Sequence, residues 1–99
     1  MITVRKEWQC PMGKQDRMRE LLKEYKQMFD TSPSCRIYSS ASGTLLHFVI
    51  EDDYESLGDY EVKWGERTST PEFQTWVAEW RTLMLDGTFQ FNFFTNLAE

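Results

Sequence analysis

The single histidine of this 99-residue sequence, His47, sits in an otherwise apolar run, Leu45-Leu46-His47-Phe48-Val49-Ile50. Imidazole changes charge near neutral pH, so His47 is a candidate general base. On an apolar strand the same side chain also serves as a hydrogen-bonded core or interface residue. Aromatic residues are the second chemical resource, at 15% of the chain with four Trp and seven Phe. Trp8, Tyr25, Tyr38, Trp64, Trp76 and Trp80 are candidates to line a pocket for a small hydrophobic or aromatic molecule. Large rings equally fill small cores, and the helical spacing of Trp76 and Trp80 favours that use.

Other constellations are weaker. Cys35 precedes Arg36, which favours a thiolate, but no base accompanies it. Six acids lie between Glu51 and Glu61, without the glycine and ligand spacing of a calcium loop, so no metal is expected. No Ser-His-Asp order, phosphate loop or Cys-x-x-Cys occurs, and no cofactor is expected. Arg5 and Glu7 share one face of the first strand and call for charged partners if that face is buried.

The net charge of −5 and pI near 4.9 oppose phosphate binding. Lys14, Arg17, Arg19, Lys23 and Lys26 are interleaved with Asp16, Glu20 and Glu24, so the helix they occupy has a mixed surface. Nucleic acid is therefore not an expected partner. No apolar run is long enough to span a membrane, and the first residues read as a strand rather than a signal peptide. Two cysteines are too few for a disulfide scaffold; reduced thiols and a cytoplasmic location are expected. Residues 1–99 are expected to form one domain.

Positioning these side chains falls to elements legible from hydrophobic period. Ile2 to Gln9 alternates, and Pro11 ends the strand. Met18, Leu21, Leu22, Tyr25, Met28 and Phe29 form one helical stripe, closed by Asp30 to Pro33. Cys35 to Ser39 and Thr44 to Glu51 read as strands joined by Ser40-Ala41-Ser42-Gly43. The second, apolar on both faces, belongs inside a sheet. Glu51-Asp52-Asp53 reads as the acidic start of a helix. Two helical segments follow, with a kink near Gly65 to Ser69. The second starts with either Ser69 capping toward Glu72 or Thr70 capping with Pro71 at the first turn, and Asp86-Gly87 ends it. Phe89, Phe91 and Phe93 alternate in a last strand from Thr88 to Phe94.

The order β-α-β-β-α-β predicts an α+β, ferredoxin-like sandwich: a four-stranded antiparallel sheet, order 4-1-3-2, with helices on one face. That topology separates Cys10 from Cys35. The apolar residues at Phe94, Leu46, Phe48 and Ile50 suggest that the uncovered face is also apolar, and a second copy packed face to face would bury it.

With these blocks the chain resembles the dimeric α/β-barrel proteins, close to their NIPSNAP-like and antibiotic-biosynthesis-monooxygenase-like branches. The likeness rests on Ile2 to Glu7 as opening strand, Met12-Gly13-Lys14 before the first helix, Tyr54 to Tyr60, and Thr70-Pro71-Glu72-Phe73-Gln74-Thr75-Trp76. It implies a homodimer with an eight-stranded barrel and one pocket per subunit between sheet and helices. Haem-degrading members use an Asn early in strand one, and a Trp and a His in the second helical region. Trp64 can stand for the Trp, but the Asn and the His are missing, which argues against haem degradation. The leading expectation is a homodimer that binds a small hydrophobic or aromatic molecule. The alternatives are a cofactor-independent monooxygenase on a quinol or polycyclic substrate, and a structural or interaction module without a ligand.

Overall fold

The computed structural model describes residues 1–29, 34–40, 46–95 and 97. It has the order β1 (Ile2–Gln9), α1 (Gln15–Met28), β2 (Arg36–Ser39), β3 (His47–Tyr54), α2 (Leu57–Thr68), α3 (Pro71–Leu83) and β4 (Gln90–Thr95). The strands form one antiparallel sheet in the order β2-β3-β1-β4. This is the expected ferredoxin-like α+β topology, with the second helical region divided in two. The segments 30–33 and 41–45, expected to end α1 and to turn between β2 and β3, lie outside the described residues.

Strand parity sorts the chemistry. Even residues of β1 face the helices: Val4 and Trp8 are buried there, opposite Asp52 and Phe48 of β3. The stripe of α1 buries Met18, Leu21, Leu22 and Tyr25 against this face. Trp8, Met18, Leu21, Tyr25 and Phe48 are the most deeply enclosed side chains. Such rings and aliphatics each contribute roughly 1.5–3 kcal/mol by leaving water.

The helix breaks come from capping. Ser56 Oγ accepts from Asp59 N at 3.1 Å and starts α2. Gly65 lies inside α2 and does not interrupt it. The break comes at Ser69 and Thr70, where Thr70 Oγ1 accepts from Phe73 N at 3.2 Å and Pro71 takes the first position of α3. Thr70, not Ser69, is therefore the cap. α3 ends at Leu83, before Asp86, and Gly87, with φ +82°, makes the turn toward β4.

Two expectations are corrected. Glu51-Asp52-Asp53 does not open a helix: β3 runs on to Tyr54, and those acids pair with Arg5, Val4 and Thr3 of β1. Ladder hydrogen bonds to β1 outweigh the local preference of acids for a helix start. The uncovered face is also not apolar. Phe48 and Ile50 point under the helices, while the open face presents Thr3, Arg5, Glu7, Arg36, Glu51 and Asp53. Among the described strand residues, Tyr38 and Phe94 add exposed apolar surface there, while Val49 on the same face is buried.

Candidate ligand-binding cleft

Between the sheet and helices α2 and α3 lies a cleft of about 720 Å³. β1 contributes Lys6 and Trp8, α1 Tyr25, α2 Tyr60 and Trp64, and α3 Trp76 and Trp80. The segment after α3 and β4 close it with Phe89 and Phe91. The register explains why β4 reaches in: Phe91 is directly opposite Lys6, and Phe93 opposite Val4. The rings interlock. Trp8 meets Trp80 edge-on at 5.4 Å, Trp80 meets Phe89 at 5.4 Å, and Trp76 stacks on Trp80 at 6.3 Å. Offset and edge contacts of this kind hold aromatic walls in place.

Of the six aromatics singled out from sequence, Trp8, Tyr25, Trp64, Trp76 and Trp80 line the cleft. Trp76 is also a core residue, its indole N–H donating to Leu21 O at 2.7 Å. Tyr38 does not reach the cleft: it is exposed on β2, paired with Val49 on the opposite face. His47 is on that opposite face too, paired with Gln9, its Nε2 3.6 Å from Glu7 Oε1. The sheet separates it from the cleft.

Tyr60, Phe89 and Phe91 were not among the sequence candidates, and neither was a charged residue of the cleft, Lys6. Lys6 is the sole charged side chain on the helix-facing side of β1 and projects among the rings. Its Nζ stands 3.0 Å from the centre of the Trp64 ring, 5.4 Å from Phe91 and 5.5 Å from Tyr60. Among the described residues it has no ion-pair partner. Burial pushes its amine down to about 7, partly countered by buried Asp52 and reinforced by Arg67. The signal was present: a lysine in phase with Ile2, Val4 and Trp8.

The cleft also holds hydrogen-bond donors without acceptors. Trp8 Nε1, Trp80 Nε1 and the Tyr25 hydroxyl are enclosed and have no partner among the described residues. Beneath them, buried Asp52 presses several neighbours toward their neutral forms. Burial first, then Asp52, raises Tyr25 and Tyr54, and lifts Tyr60 to about 12 and Cys35 to about 11. Burial likewise lifts Cys10 to about 11, and both cysteines are free thiols. Cys35 is thus the opposite of an activated nucleophile. Among the described residues no cluster suited to a metal ion occurs.

The open face has a different chemistry. Arg36 grips Asp53 with two bonds, 2.9 and 3.0 Å, while Thr3 donates to the same carboxylate at 2.7 Å. These contacts, Arg36 foremost, hold the Asp53 carboxyl below its ordinary range. Arg5 Nε lies 3.1 Å from Glu7 and 3.5 Å from Glu51. The charges expected of Arg5 and Glu7 are therefore met within the chain. Among the described residues, no helix is long and apolar enough to cross a membrane.

No family model matches this sequence, and no curated protein is similar to it by sequence. Solved structures do match. A NIPSNAP family protein from Agrobacterium tumefaciens aligns with a TM-score of 0.85 at 14% identity, over 96% of this chain and 84% of its own. A NIPSNAP domain protein from Burkholderia xenovorans aligns at 0.81 and 14%, over 99% and 96%. An antibiotic biosynthesis monooxygenase aligns at 0.75 and 13%, over 98% and 99%. At such identities the likeness speaks for the fold: this chain has the ferredoxin-like α+β fold of the NIPSNAP and antibiotic-biosynthesis-monooxygenase-like structures.

Proposed function

We propose that this protein binds a small aromatic molecule in the cleft between its sheet and helices, and does so as a homodimer. The observation that carries the binding reading is the pairing of ring-lined walls with enclosed donors, Trp8 Nε1 and Trp80 Nε1, that no acceptor among the described residues satisfies. Apolar walls with a few convergent polar groups are the usual make-up of a small-molecule site. Titration with 2-naphthol tests it through quenching of tryptophan fluorescence. Saturable quenching that Trp80→Ala weakens at least tenfold is the expected result. Unchanged fluorescence with this and larger fused-ring phenols would leave the interaction-module reading.

The dimer rests on β4. All six of its residues are exposed, Phe91, Phe93 and Phe94 among them, and its outer edge is unpaired in the sheet. A second copy would cover both the edge and the rings. Sedimentation as a monomer at micromolar concentration would contradict it.

A second reading, cofactor-independent oxygenation of a quinol or polycyclic substrate, takes support from the aromatic cleft and from the fold shared with a monooxygenase structure. A substrate methylene would become a carbonyl with one atom of O₂, the other leaving as water. His47 could not be the base from the far face; Lys6 could. Absence of oxygen uptake with anthrone-type compounds that nonetheless bind would sink this reading.

A further inference from the structure

Lys6 is a cation placed where water is scarce, and among the described residues no carboxylate stands within ion-pair distance of it. Its stem rises from the centre of the sheet, and its Nζ stands against Trp64, with Tyr60 and Phe91 at the sides. A lysine that only filled space there would be replaced without loss by an apolar residue, because burying an amine without a partner is unfavourable. The sheet offers the contrast. Arg5, its sequence neighbour, has two carboxylates at 3.1 and 3.5 Å. Among the described residues, three enclosed and unpartnered polar atoms belong to side chains that line the same cleft, Trp8 Nε1, Trp80 Nε1 and the Tyr25 hydroxyl, and all three can donate; the unpartnered Asp52 Oδ1 is an acceptor, but Asp52 does not line the cleft. A cleft whose lining brings together one amine and three donors unpartnered among the described residues is complementary to a ligand that supplies the acceptor and the charge.

We infer that Lys6 is the anion-recognising residue of the cleft, and that the ligand is a planar aromatic molecule carrying an ionised oxygen, a carboxylate or a phenolate. This rests on the aromatic-binding reading above and narrows its ligand class. The rings take the flat apolar body. The ammonium takes the oxygen, with an indole N–H as second donor; ionised acceptors make the stronger hydrogen bonds.

Proton linkage follows. The free amine sits near neutrality, lowered by burial and by Arg67 of α2 and raised by Asp52 of β3 and Cys35. Tyr25, Tyr60, Arg81 and Asp86 also line the cleft; the two tyrosines stay neutral in this range, and Arg81 and Asp86 are opposite charges exposed outside the core. An anion bound at Lys6 restores the ammonium, so binding takes up a proton above neutrality.

The test compares 2-naphthoate with its neutral isostere, 2-naphthamide, by titration calorimetry. The acid is expected to bind at least tenfold more tightly. Lys6→Met is expected to abolish that preference while retaining the amide, and Lys6→Arg to keep it. A measurement on the unaltered protein stands apart from any folding defect. Just above neutral pH, the binding enthalpy of naphthoate should vary with the ionisation enthalpy of the buffer in the sense of proton uptake. Equal affinity for acid and amide, a preference that survives in Lys6→Met, or binding without proton uptake would each overturn the assignment. Failure of both compounds to bind would instead remove the aromatic-binding reading, and this inference with it.

Discussion

Arg5 and Lys6 are adjacent cations on the same central strand, and the two faces of the sheet treat them in opposite ways. On the open face Arg5 joins a lattice of charges, Glu7, Glu51, Arg36 and Asp53, in which each cation meets a carboxylate. On the covered face Lys6 meets rings. Paired surface charges hold register and contribute little, typically under 1 kcal/mol each. A half-enclosed cation among aromatics is held at a penalty, and the fold retains it. The contrast separates charge that organises the sheet from charge that is free to organise a ligand.

The comparison is sharpened most by the covered face. Trp76→Ala removes a buried ring that stacks on Phe73 and Trp80 and donates to Leu21. It should destabilise the fold by about 3–5 kcal/mol in urea unfolding. Next comes Lys6→Met, which should stabilise by on the order of 2 kcal/mol near neutral pH. The sign follows from proton counts. The unfolded chain protonates this amine below about 10.5, the folded protein only below about 7. Stability from this group is therefore full above the higher value and falls as pH drops between the two. It is level below the lower one. The substitution should flatten that slope, and a slope unchanged in urea midpoints would show that Lys6 is not the buried base described.

On the open face effects should be smaller. Arg36→Ala leaves Asp53 with only Thr3, and should lower stability by about 1 kcal/mol, less in high salt. Because the Asp53 carboxyl is depressed, this contribution is present above the ordinary carboxylate range and disappears as acid protonates it. Smallest is His47→Ala, expected within about 0.5 kcal/mol of the parent and without effect on naphthol binding. Loss of binding there would break the comparison, since it would couple the two faces through the sheet.

Much of this architecture was legible. Alternation in Ile2 to Gln9 set β1 with its true bounds, and the stripe from Met18 to Phe29 set α1. Pro71 marked α3 because its missing N–H suits only a first turn. Glu51 to Asp53 misled because the local rule for acids at helix starts ignores β1, whose partners lie almost fifty residues away in sequence. The aromatic lining was readable as residue types, since five of six candidates converge. Tyr38 was not separable from them, because its face depends on pairing with Val49. Lys6 was visible by parity with Val4 and Trp8. What parity could not supply was the ring of Tyr60, Trp64 and Phe91 around it, which comes from two elements remote in sequence.

The pairing of β1 with β4 has a consequence in time. Ile2 lies beside Thr95 and Lys6 beside Phe91, so the first strand waits for the last. Until β4 docks, one wall of the cleft is missing and one edge of β1 is bare. Contacts so distant along the chain slow folding, since loop closure must precede the gain they bring. Completing the cleft thus requires the most sequence-distant pairing of the sheet, and during synthesis a nascent chain carries Lys6 long before it carries the ring that faces it.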